Sequence, residues 1–142
     1  MTQQFHDNGF PVSTLHDSII LSYHADFEKK ELVMKTHYVG GGAEWWEDVI
    51  FTDCLSHLFR GADPIQNMIC SINEVSIELF IKHERDLIVQ EGFVQWPAPC
   101  RTIEALLDYI HRNKYKVYSI ESVIGLGGWV IAKNMEIVQV DK

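Results

Sequence analysis

The sequence predicts an α+β fold: a single antiparallel, mostly β sheet packed with one helix at about residues 102–113, joined by a second if residues 74–90 are helical. Three observations predict it. Apolar residues alternate with period two over 19–27 and 32–39, branched residues crowd the stretch after residue 114, and one clean helical stripe follows Thr102. With 142 residues, 46% hydrophobic and 23% charged, the chain has globular proportions and is read as a single domain, 1–142, that needs no disulfide or metal to fold.

In IILSYHADF, Ile19, Leu21, Tyr23, Ala25 and Phe27 fall on one side; in LVMKTHYV, Leu32, Met34, Thr36 and Tyr38 do the same. Two half-buried strands joined by EKKE are expected. Setting Phe27 opposite Leu32 brings both apolar faces into phase. Gly40-Gly41-Gly42 then breaks the second strand at a loop tip, and Val49 and Phe51 favour a third strand that continues toward the turn signal Gly61-Ala62-Asp63-Pro64. Residues 67–72, NMICSI, suit a short buried strand. The stretch 74–91 is ambiguous: Val75, Ile77, Leu79 and Ile81 alternate, whereas Ile77, Phe80, Ile81 and Ile88 form a helical stripe, and a strand through Ile81 is slightly preferred.

Trp96-Pro97-Ala98-Pro99 must be a stiff connector, because its prolines remove backbone donors and push their predecessors out of the α region. Thr102 then caps a helix with Ile103, Leu106, Leu107 and Ile110 on one face, Glu104 early, His111 and Arg112 late, and Asn113 as its stop. Two or three final strands follow, around a turn at Gly125-Leu126-Gly127-Gly128.

The formal charge of −8, from twenty acids and twelve bases, opposes the counterion release that drives nucleic-acid binding. Acids outnumber bases nine to four over residues 1–60 and eight to four over 61–113, so that surface would attract a basic partner. MTQQFHDNGFPVS lacks the basic start and apolar run of a secretory signal, and no stretch reaches eighteen apolar residues; a cytoplasmic protein with no membrane span is the expectation. Three cysteines with no CxxC spacing fit unpaired thiols in a reducing compartment, with Cys54 and Cys70 as small core residues.

Chemistry-bearing groups are sparse. In the expected hairpin His24 and His37 share the polar face on a diagonal, with His16-Asp17 just before the first strand, but no spacing supplies a third metal ligand, and no cofactor is expected. Cys100, beside Arg101 near a helix N-terminus, is a candidate nucleophile without an assigned base. The glycines at 125–128 do not form a dinucleotide loop, since a β-forming VIAK follows them. The most unusual local composition is Glu44-Trp45-Trp46-Glu47-Asp48. Its adjacent tryptophans should point to opposite faces of an extended chain, and a tryptophan among carboxylates suits a contact with a basic protein.

His16-Asp17-Ser18, Trp96-Pro97 and Tyr118-Ser119-Ile120-Glu121-Ser122 leading to Gly125-Leu126-Gly127-Gly128-Trp129-Val130 together resemble small bacterial proteins, some of the immunity-protein kind found in polymorphic toxin systems. The resemblance spans about Leu15 to Val140, and its motifs are turns and aromatics that assign no functional residue. It implies an immunity-type protein; joined to the charge of −8 and the sparse catalytic signatures, it gives the expectation of a binding protein that inhibits a basic toxin. The competing expectation is a small hydrolase or metalloenzyme using His16, His24 or His37, or Cys100. A third is a homodimer formed along the VIAKNMEIVQV segment as an edge strand.

Overall fold

The structure, a computed structural model, describes residues 15–97 and 99–141. The segment read for a signal sequence and Ala98 of the proline connector therefore lie outside the described residues. Six antiparallel strands are present, β1 (Ile19–Asp26), β2 (Glu31–Gly40), β3 (Ala43–Arg60), β4 (Met68–Val75), β5 (Lys116–Ile124) and β6 (Gly127–Val140), with helices α1 (Ile77–Gln90) and α2 (Ile103–Arg112) between β4 and β5. The sheet is rolled into a closed barrel in the order β1-β2-β3-β6-β5-β4. Closure is narrow. Ile19 pairs with Met68, and the amides of Asp17, Ile20 and Ile69 bond across the seam to Ile69, Asn67 and Ser18.

The alternation expected of β2 holds: Leu32, Met34 and Thr36 are buried against Val49 and Phe51 of β3 inside the barrel. In β1 the phase differs from expectation. The register slips between Ile20 and Ser22, which turns Ile20 inward and leaves Leu21 54% exposed. Ala25, not Phe27, stands opposite Leu32, and Phe27 falls in the turn at 82% exposure. That two-residue change also moves His24 opposite Val33 and His37 opposite Ile19, so the expected diagonal of histidines does not exist.

A strand through Ile81 is likewise corrected. Val75 ends β4, Ser76 turns extended, and its hydroxyl accepts from the Leu79 amide at 3.0 Å, capping α1. The helical stripe prevails because Phe80, Ile81 and Ile88 have a surface to cover, shared with Ile103, Leu106 and Ile110 of α2. Thr102 caps α2 as expected, accepting from the Ala105 amide at 3.1 Å, and Asn113 closes it. The helices pack on the outside of β5 and β6. Val117, Trp129 and Ile131 face them, whereas Tyr118, Ile120, Val130 and Ala132 face the barrel interior. Trp-Val-Ile-Ala is thus a continuous apolar run because both faces of β6 are covered. Trp96 from the proline connector stacks on Trp129 at 5.8 Å, and the Trp129 indole N–H donates to Glu84 at 3.1 Å. β6 lies between β3 and β5 only as far as Ala132, opposite Lys116; of the segment expected to form an edge, residues 130–132 are interior to the sheet, whereas Asn134–Val140 pair with β3 alone. No helix among the described residues is long and apolar enough to cross a membrane.

Candidate functional site

The β2–β3 hairpin brings the residues of the tryptophan motif together. Its tip is the pair Gly41-Gly42, both at positive φ (57° and 78°), the combination that lets two residues reverse a twisted hairpin. Gly40 stays in β2 opposite Ala43, which sets His37 opposite Trp46 and Tyr38 opposite Trp45. The two tryptophans point to opposite faces, and each lies on a β2 ring. Trp46 stacks on His37 at 4.4 Å and 6°, and Trp45 on Tyr38 at 4.3 Å and 16°. Both indoles are half-buried.

The three carboxylates differ. Glu44 is exposed and accepts from His37 Nε2 at 2.8 Å. Asp48 lies 3.5 Å from Lys35 Nζ on the outer face. Glu47 is 2% exposed and accepts from the Trp45 indole N–H at 3.1 Å, while its backbone carbonyl accepts from the Thr36 hydroxyl at 2.9 Å. Glu47 therefore holds the base of the hairpin, and Glu44 is the acid that the hairpin presents. His37 belongs to this constellation as fully as the tryptophans do.

The other sequence candidates are dispersed. His16 donates from Nδ1 to the Cys70 carbonyl at 3.0 Å and lies 3.6 Å from the Asp17 carboxylate, tying the approach to β1 onto β4. His24 is exposed on β1. Cys100 is fully buried between the helices and the barrel. Burial pushes its thiol up, outweighing the lowering effect of Arg101 and Arg112, and Arg101 donates to the carbonyls of Phe93, Pro97 and Cys100. A primed thiolate is thus not what this position holds. Among the described residues no three His, Cys, Asp or Glu side chains converge as a metal site would require.

A second location went unnoticed in the sequence. At the other end of β2, the β1–β2 turn, a bulge in β3 and Gln95 line a solvent-open cavity of about 340 Å³. Cys54 and His57 line it, so Cys54 is a cavity-wall residue and not a filled-core one. Burial, with the nearby charges of Asp53 and Glu31, pushes the Cys54 thiol up to about 11, and burial alone pushes His57 below its ordinary value. Both groups are neutral near pH 7. The only available signal was Asp53-Cys54 interrupting an alternating strand.

No protein family, curated protein or solved structure matches this chain.

Proposed function

We propose that this protein is a cytoplasmic binding protein of the immunity type, which inhibits a basic toxin by presenting the β2–β3 hairpin to it. The observation that carries this reading is the His37–Trp46 stack with Glu44 held 2.8 Å from the same imidazole. It places an ordered aromatic surface and a carboxylate side by side at the end of an acidic molecule. Val39, 66% exposed next to the tip, extends the apolar part of that surface. The net charge of −8 speeds encounter with a cationic partner, and the pre-ordered aromatics lower the entropy cost of contact and lengthen residence. Such an inhibitor needs no catalytic group; it acts by occupying the partner's surface.

Co-expression with candidate basic toxin domains tests the reading. Growth should be restored by the wild-type chain and lost with Glu44→Lys or Trp46→Ala, both still folded by circular dichroism. Absence of protection, or protection indifferent to both substitutions, overturns it.

A further inference from the structure

We propose that the cavity between the β1–β2 turn and the β3 bulge binds a small amphipathic amine, with its hydrocarbon body against Leu32 and Leu55 and its ammonium group at the carboxylate of Glu31. The site is separate from the hairpin tip: Glu31 and Val39 are eight residues apart along β2, roughly 26 Å of extended chain. A volume of about 340 Å³ lies within the range of small-molecule sites.

The chemistry of the walls selects the ligand class. Ala25, Leu32 and Leu55 supply apolar surface, and Asp26 and Glu31 bring two carboxylates against the single cation Lys30. Asp53 adds a further negative charge close to Cys54, and Lys29 a positive one close to Asp26, so three carboxylates stand against two ammonium groups. The local field therefore disfavours an anion, and it adds to the burial that keeps the Cys54 thiol protonated. Asp26 is ionised and fixed, its Oδ1 accepting from the amides of Glu28 and Lys29. The His57 imidazole, half-buried in the wall, lies tilted against the Phe59 ring at 5.5 Å; when neutral it offers one donor and one acceptor to a ligand.

The backbone explains how the wall is built. Lys30 and Asp53, neither a glycine, both adopt left-handed backbone (φ 55° and 53°) and are joined by the bond from the Cys54 amide to the Lys30 carbonyl at 2.9 Å. Immediately after them the β3–β6 register slips between Cys54 and Ser56. Left-handed residues and bulges cost ladder bonds and conformational energy, and here they hold the β3 wall open beside His57.

Heteronuclear NMR titration of the full chain with 2-phenylethylamine, and with the size-matched 2-phenylethanol and phenylacetate, tests this assignment. The amine should give saturable shifts confined to the amides of residues 25–32 and 54–57. The alcohol should bind about tenfold more weakly, phenylacetate more weakly still, and Glu31→Gln should weaken the amine by about tenfold, as loss of a charge-assisted hydrogen bond does. His57→Gln, a second variant at a separate wall position, should weaken the amine as well. No saturable shifts in those segments, equal affinity for the three probes, or amine binding unchanged in both variants would overturn it. Because the hairpin residues are not involved, toxin protection by Glu31→Gln should remain at the wild-type level.

Discussion

His37 lies flat against Trp46, ring centroids 4.4 Å apart and planes 6° from parallel, while its Nε2 is 2.8 Å from the Glu44 carboxylate. The stack is a cross-strand pair between β2 and β3, and the carboxylate sits two residues before the indole on the same strand face. Three side chains from two strands thus order one another without burying the group that carries the charge.

A double-mutant cycle measures how much this pair holds. His37→Ala and Trp46→Ala should each destabilise the fold, and the double variant should lose less than the sum, with a coupling of about 0.5–1.5 kcal/mol in urea unfolding. Strict additivity would show that the rings do not support one another.

Acid should weaken the fold in two separate windows. The imidazole of His57 is held below its ordinary 6.5 by burial. Above about pH 6.5 folded and unfolded chains both carry it neutral. Below that value the unfolded chain binds the proton first, so stability falls as pH drops, until the folded pKa is passed. Asp26, Asp63 and Glu78 have folded values lowered from 3.8, 3.8 and 4.5 by hydrogen bonds, so their contribution is present above those values and is lost as pH falls through the lowered ones. Urea unfolding of the wild type and His57→Gln at about pH 7.5 and 5.5 separates the windows, since the carboxylates stay ionised at both. The wild type should lose more stability on acidification than the variant; equal losses would contradict the burial of His57.

The caps test the helical state of residues 77–90. Ser76→Ala and Thr102→Ala should each cost about 1 kcal/mol, measured by urea unfolding, because each hydroxyl accepts from a backbone amide of the first turn. A Ser76 variant with unchanged stability would argue for a strand there.

Two glycines should respond very differently to alanine. At Gly41, φ is 57° and a Cβ would meet open space, so Gly41→Ala should cost only about 1 kcal/mol of backbone strain. At Gly128 a Cβ would be driven into the Leu58 carbonyl oxygen, where only separation of β3 from β6 could relieve it. Thermal unfolding should show a loss of about 3 kcal/mol or more for Gly128→Ala.

How much of this was legible can be argued from particular residues. Positions 32–38 of β2 read correctly because Leu32, Met34 and Thr36 are all buried on one face, with the single apolar exception Val33 on the other. The face of β1 did not, because a slip at Leu21 breaks the period of two, and nothing local marks it. Residues 74–91 misled because the alternation Val75-Ile77-Leu79-Ile81 runs across the junction of β4 and α1, with Ser76 as the boundary. The pairing of His37 with Trp46 was recoverable: a two-residue turn at Gly41-Gly42 fixes it, and the reading of the triple glycine as one loop concealed it. Barrel closure and the cavity were not recoverable, since one depends on a few bonds around Ile19 and Met68 and the other on a bulge at Cys54.

The proposal that the hairpin engages a cationic protein is tested most directly by placing a photo-cross-linking residue at Val39, the exposed position beside the Gly41-Gly42 tip, and irradiating cells that carry the toxin. The account predicts one covalent adduct whose partner is that basic toxin, and its disappearance in the Glu44→Lys background. A toxin that is neutralised while no adduct forms at Val39, or an adduct unaffected by Glu44→Lys, would contradict it.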